Sequence, residues 1–262
     1  MTDAAAAGRR PMLRVEGLGV RYGALVALDD VGWEVAAGEI LGIIGPNGAG
    51  KSSCYDAATN MVRRSGRVFL DGAEVTDAPP HALAGLGLKR AFQQNAFFAE
   101  MSVLGNMAAV LQQARGTGLL ASVFAPWTEM ARRRALEAEA AALLRRFGVP
   151  AAMHGSRPAG LPYGTQRMLS IALAWGTGAK VLMLDEPAAG LGGEDMLRLR
   201  DLLGALRAEG AALVVIEHHM DLIMSVADRI VVLDGGRRLA TGTPREVQAD
   251  PRVLEAYLGR AA

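Results

Sequence analysis

Apolar and polar residues alternate along Leu13-Arg14-Val15-Glu16-Gly17-Leu18 and again along Ala27-Leu28-Asp29-Asp30-Val31-Gly32-Trp33-Glu34-Val35, the period-two pattern of half-buried strands. With Gly66-Arg67-Val68-Phe69-Leu70-Asp71-Gly72 these predict an antiparallel sheet beside a strand of another kind. Ile40-Leu41-Gly42-Ile43-Ile44 is a continuous apolar run, as are Val181-Leu182-Met183-Leu184 and Ala212-Leu213-Val214-Val215-Ile216. Parallel strands covered on both faces by helices read this way. A helix after Lys51 is expected to end near Arg63-Arg64-Ser65-Gly66, where basic residues and a glycine suit a helix C-terminus. Further helices are expected from about Gln166 to Trp175 and from about Glu194 to Ala208. Between Gly85 and Gly160 the pattern is mostly helical, with Leu136, Leu143, Leu144 and Phe147 on one helix face before Gly148 and Pro150 close it. Ile230 to Leu233 and Arg238 to Ala240, joined through Asp234-Gly235-Gly236-Arg237, read as a hairpin. The role of Gly116 to Pro126 is not legible.

Composition narrows the class. The 262 residues are 51% hydrophobic but only 5% aromatic, and the apolar content carried by Ala, Leu and Val suits an α/β protein. With 28 basic and 27 acidic residues, the net charge of +1 implies neither a nucleic-acid partner nor an acidic tail. A single cysteine, Cys54, excludes an internal disulfide and fits a reducing compartment. No apolar run approaches the roughly 18–20 residues that span a bilayer. Residues 1–11 read as a disordered tail and not a signal peptide, so a cytoplasmic protein, able to dock on a membrane protein, is expected.

The chemistry starts at Gly45-Pro46-Asn47-Gly48-Ala49-Gly50-Lys51-Ser52-Ser53. It follows an apolar strand, precedes a helix and matches the G-x-x-x-x-G-K-[ST] phosphate-binding loop. Backbone N–H groups in such a turn converge on a polyphosphate, the Lys51 ammonium reaches the outer phosphates, and the Ser52 hydroxyl helps hold Mg²⁺. A second piece is Asp185-Glu186, two carboxylates at the C-terminal end of an apolar strand, where ligands bind in parallel sheets. Asp185 suits Mg²⁺ and Glu186 suits polarisation of an attacking water. An Asp-Glu pair after a strand is, alone, as readily a polar turn. Together the two pieces predict a P-loop NTPase core of mainly parallel sheet, with an antiparallel β subdomain and an inserted α-helical lobe.

With these motifs in place, nearly the whole chain resembles the ATP-binding subunit of ABC transporters, and ATP and Mg²⁺ are the ligands that this resemblance implies. It implies a domain over residues 12–262, with the helical lobe at about 85–160 and a C-terminal hairpin and short helix at about 229–259. In that family an aromatic residue ahead of the phosphate loop stacks on adenine, and this falls on Tyr22. A glutamine leading into the helical lobe senses the γ-phosphate and Mg²⁺; Arg90-Ala91-Phe92-Gln93 places it at Gln93, with Gln94 adjacent. The switch histidine matches His218 in Ile216-Glu217-His218-His219-Met220.

The family signature Leu-Ser-Gly-Gly-Gln caps nucleotide held by the other subunit of a dimer. Here the matching stretch, Leu161-Pro162-Tyr163-Gly164-Thr165-Gln166, departs from it: Pro162 removes a hydroxyl and an N–H, and Thr165 stands where glutamine is usual. Gly192 stands where many members carry aspartate. Glu217-His218-His219-Met220-Asp221-Leu222 and the ending Asp250-Pro251-Arg252-Val253-Leu254-Glu255-Ala256-Tyr257-Leu258-Gly259 look most like the branched-chain amino-acid uptake subfamily. That resemblance implies a peripheral subunit on the cytoplasmic face of the inner membrane. Its implied partners are permease subunits, a second ATPase subunit (a different chain or another copy) and, indirectly, an external substrate-binding protein. Importers of urea, short amides or other amino acids share much of the pattern. A soluble ABC-type ATPase and a regulatory module without hydrolysis are the alternatives from other classes.

Overall fold

The computed structural model describes residues 10–91, 97–115 and 126–258. Two sheets form. The first pairs β1 (Pro11–Tyr22), β2 (Leu25–Ala36), β4 (Ser65–Leu70) and β5 (Ala73–Glu74) in the order β2-β1-β4-β5, antiparallel throughout. The second is six-stranded, in the order β10-β9-β3-β8-β7-β6. It comprises β3 (Ile40–Ile44), β6 (Leu88–Ala91), β7 (Val181–Asp185), β8 (Ala212–Ile216), β9 (Arg229–Asp234) and β10 (Arg237–Gly242).

Within the second sheet β3 runs parallel to β8 and β9, and β7 parallel to β8, while β10 turns back antiparallel on β9. Every residue of β3 and of β8 is buried, which is why their sequences are continuous apolar runs. By contrast β1 alternates, burying Leu13, Val15, Leu18 and Val20 against a core that includes Trp33, Tyr55 and Ile43. The β9–β10 turn fastens the two sheets near the phosphate loop: Asp29 N donates to Gly236 O at 2.8 Å, and Gly236 N to Ala49 O at 3.1 Å.

Helix α1 (Lys51–Ala58) is shorter than expected. It stops because Asn60 takes a left-handed φ of 56°, a conformation that asparagine tolerates and that ends helices. The Asn60 amide donates to the carbonyls of Val75, Thr76 and Ala78, and the Arg64 Nε caps the carbonyl of Ala57. The stop signal was Asn60 and not Gly66. A second difference lies just inside the predicted helical stretch. After α2 (Pro80–Leu86), Gly87 adopts a φ of 102° and releases the chain into edge strand β6. Helices α6 (Gly193–Ala208), α7 (Met220–Val226), α8 (Pro244–Ala249) and α9 (Pro251–Leu258) complete the C-terminal part.

The chain divides into two units, one of residues up to Arg90 with Lys180–Ala189 and Leu199 onwards, the other of Ala91–Ala179 with Gly190–Arg198. The second contains α3 (Val103–Ala114), α4 (Pro126–Arg146) and α5 (Tyr163–Gly176). Met107, Ala140, Leu144 and Phe147 are buried there. Ser102 caps α3 by accepting from Gly105 N at 3.0 Å. The buried Asn106 amide exchanges hydrogen bonds with the backbone of Phe98, Met101 and Ser102. Among the described residues, no helix is long and apolar enough to cross a membrane.

Candidate functional site

The phosphate loop leaves β3 at Gly45, and its shape depends on close backbone approaches. A Cβ on Gly45 would lie 2.1 Å from the Leu233 carbonyl oxygen, and one on Gly50, at a φ of 99°, 2.6 Å from that of Ala27. Only glycine fits at either place. Ala49 N donates to Pro46 O at 3.1 Å, closing the turn, and Gly50 caps α1. Lys51 is buried, and its Nζ donates to the carbonyls of Gly45 at 2.7 Å and Pro46 at 3.1 Å. Burial holds its pKa below the ordinary lysine value, against the opposing pull of Glu186 and Asp185. Ser52 is exposed at the mouth of the loop.

A cleft of about 340 Å³ opens here, lined by Tyr22, Leu25, Val26, Ala27, Asn47 to Ser53 and Glu186. Tyr22 is the last residue of β1 and 48% exposed. The β1–β2 turn thus brings an aromatic ring to the cleft that the phosphate loop floors, although the two lie far apart in sequence.

Asp185 ends β7. Its carboxyl is pushed up to about 6, first by burial and then by the negative charges of Glu186 and Asp56, with Arg90 opposing. Arg90 pairs with Asp56 at 2.7 Å and lies 4.2 Å from the centre of the Tyr55 ring, and the Tyr55 hydroxyl donates to Met183 O at 3.2 Å. The end of β7 is thereby held to α1. The Asp185 carboxylate, its pKa raised by burial and by the nearby carboxylates, and the Ser52 hydroxyl are hard oxygen donors of the kind that fit a divalent cation.

A raised carboxyl pKa means that the folded chain holds this proton more tightly than the unfolded one. Stability is therefore lost as pH rises from the ordinary value of 3.8 to about 6. Asp185→Asn is expected to raise the nucleotide-free stability by about 1 kcal/mol above that window, a figure discounted for solvent screening. The gain in Tm should be larger at pH 8 than at pH 5. A gain independent of pH would contradict this account.

Glu186 follows in a left-handed conformation, φ 45°, with its N–H donating to Ile216 O at 2.8 Å. Such a backbone is uncommon for a side chain beyond Cβ, and here it turns the chain sharply out of β7. The loop beyond β8 brings His218 up to it, with Nδ1 3.4 Å from Glu186 Oε1. The His218 and His219 rings lie 4.3 Å apart. The motif at 45–53, the acids at 185–186 and the histidine at 218 thus meet at adjacent C-terminal ends of β3, β7 and β8. A carboxylate and an imidazole so placed can accept and orient a water proton beside bound phosphates.

Leu161, Tyr163, Gly164, Thr165 and Gln166 belong to the second unit and are not among the residues lining this cleft. Pro162 occupies the N-cap of α5 without a side-chain bond. The Gln166 N–H closes the first turn on Pro162 O at 3.0 Å, and its side-chain amide donates to Leu161 O at 2.9 Å. A Cβ on Gly164 would meet the Asp195 carboxylate, so a larger residue there would require that side chain to turn away. Tyr163 is half-exposed, and its hydroxyl accepts from the buried Arg167 at 3.1 Å. Gln93 and Gln94 lie outside the described residues.

The sequence pattern does not single out Glu217, which is fully buried between the loops that follow β7 and β8. Its signal was a charged residue directly after the five apolar residues of β8. Arg90 and Tyr55, which tie β6 and β7 to α1, were likewise unassigned.

Comparison with known proteins agrees with this geometry. The ABC transporter family pattern matches residues 28–189, and that of the branched-chain amino acid ATP-binding cassette transporters matches residues 237–262. Over 256 residues, 96% of this chain and 99% of the relative, it is 39% identical to the high-affinity branched-chain amino acid transport ATP-binding protein BraF of Pseudomonas aeruginosa. It is 38% identical, with the same coverage, to LivG of Escherichia coli K12, a protein described in the same words. The ADP conformation of an ATP-binding cassette of an ABC transporter superposes with a TM-score of 0.79 at 28% identity, over 96% of this chain and 100% of that one. These matches span almost the whole chain, and the protein belongs to the ABC transporter family as an ATP-hydrolysing, ATP-binding subunit.

Proposed function

We propose that this subunit hydrolyses ATP with Mg²⁺ to drive import of branched-chain or other hydrophobic amino acids through a membrane permease. One observation carries the hydrolytic part: Glu186 lines the cleft of the phosphate loop and has His218 Nδ1 3.4 Å from its carboxylate. The near full-length identity to BraF and LivG supports the substrate class.

In this reading Tyr22 stacks on adenine, and the backbone N–H groups of residues 45–53 with the Lys51 ammonium neutralise the phosphates. Glu186 accepts a proton from the attacking water, and His218 orients that water toward the γ-phosphate. Ser52, Asp185 and Gln93 would hold the cation, which would supply positive charge against that of the phosphates. Leu161 and Tyr163 to Gln166 complete the site of a second ATPase subunit, either a different chain or another copy. Residues 12–262 are one ATP-binding domain. Its lobe, at about 85–160, transmits the change at Gln93 to the permease, and an external binding protein delivers the substrate. The subunit sits peripherally on the cytoplasmic face of the inner membrane.

The test is ATPase activity of the complex reconstituted in vesicles with its binding protein. Leucine, isoleucine or valine should stimulate it, and urea or short amides should not. Stimulation by urea or an amide alone would reassign the substrate. In the same assay, Pro162→Ser with Thr165→Gln is expected to raise turnover about two- to tenfold, by restoring a hydroxyl and an amide aimed at the partner's nucleotide. An unchanged rate would show that α5 serves through its backbone alone.

A further inference from the structure

The Glu217 carboxylate has 0% exposure and spans two loops with its two oxygens. Oε1 accepts from Ala188 N at 2.7 Å, in the loop that follows Glu186. Oε2 accepts from His218 N at 3.0 Å and His219 N at 3.2 Å, in the loop that follows β8. The His219 Nδ1 also lies 3.0 Å from Oε2 and donates in the tautomer protonated there. The same stretches are also joined by the bond from Glu186 N to Ile216 O. A buried carboxylate is costly unless its oxygens are satisfied by donors, and here the donors are the backbone of the two catalytic loops. Their relative position is therefore the condition on which this burial rests.

We propose that Glu217 is a positioning residue for hydrolysis. It clamps the loop after Glu186 to the loop carrying His218 and so sets the 3.4 Å approach of His218 Nδ1 to the Glu186 carboxylate. Neither Glu217 oxygen faces the cleft, and the residue has no direct part in binding nucleotide. Its chemistry is specific to a carboxylate. Glutamine has the same shape, but its NH₂ must point at Ala188 N or at the donors of His218 and His219, which sets donor against donor and frees one loop. Aspartate is one methylene shorter and cannot reach both.

The inference rests on the proposed role of His218, and a double-mutant cycle separates the two. In the assembled transporter, Glu217→Gln is expected to lower kcat by roughly tenfold to a hundredfold, the scale of a misplacement near 1 Å. The KM for ATP should stay within about twofold. In a His218→Ala background the same substitution should cost less than about threefold, because the group it positions is gone. A full multiplicative loss in that background, a rise in KM with kcat intact, or no effect in either background would overturn the clamp while leaving His218 in its role. If His218→Ala alone leaves kcat unchanged, the role of His218 falls and the clamp with it. Should Glu217→Gln fail to fold, His219→Ala removes one donor to Oε2 from a partly exposed side chain. It should lower kcat severalfold at unchanged KM, and a wild-type kcat would overturn the proposal.

Discussion

Exchanging Glu186 for glutamine is expected to lower ATP turnover of the assembled transporter by about 10²- to 10⁴-fold, the usual contribution of a positioned general base. The glutamine side chain keeps the shape of glutamate but cannot take a proton from water. The backbone features that set position 186, its φ of 45° and the bond from its N–H to Ile216 O, do not involve the carboxylate. The loop from Gly45 to Ser53 is left intact. Nucleotide affinity should therefore be retained, and an ATP-bound dimer should accumulate and elute as a larger species in gel filtration with ATP. Wild-type turnover in this variant would remove Glu186 from the mechanism. Loss of nucleotide binding would instead show that its side chain serves the cleft it lines.

Lys51→Ala should fail one step earlier. The ammonium sits at the floor of the loop, 2.7 Å from Gly45 O and 3.1 Å from Pro46 O, and is the one side-chain cation lining the cleft among the described residues. Two charge-assisted hydrogen bonds to phosphate contribute on the order of 3–4 kcal/mol, so affinity for ATP should fall by roughly a hundredfold or more. Binding of a fluorescent ATP analogue, followed by titration calorimetry, measures this directly. Stability should change little, because losing two bonds to carbonyls is offset by removing an ammonium whose burial already depresses its pKa. Ordinary ATP affinity in Lys51→Ala would contradict the assignment of the loop. The two variants separate binding from chemistry, since Lys51→Ala lowers affinity while Glu186→Gln lowers turnover at unchanged affinity.

Local pattern was enough for the elements whose physics is local. The apolar runs of β3, β7 and β8 announce strands buried on both faces, and the glycines at 45 and 50 announce a backbone that must approach other groups closely. The ends of elements were less legible. Basic residues and a glycine predict an end for helix α1 near Arg63-Arg64-Ser65-Gly66, yet Asn60 stops it at Ala58 by exchanging helix bonds for contacts with Val75, Thr76 and Ala78. Strand β6 is not legible within the helical stretch, since its four residues carry little periodicity and its hydrogen bonds come from a sheet assembled elsewhere.

By itself the sequence determined the phosphate loop, the acidic strand end, the histidine after β8 and the family to which they belong. Each is a short motif whose chemistry is written in adjacent residues. Tertiary structure alone decided that burial and neighbouring charges push the Asp185 carboxyl up to about 6, and that Glu217 is buried with one oxygen on the loop after β7 and the other on the loop after β8. Those properties depend on which groups from distant parts of the chain surround a residue. Burial, charge and hydrogen-bond partners are set by neighbours in space, and only the folded sheet brings those neighbours together.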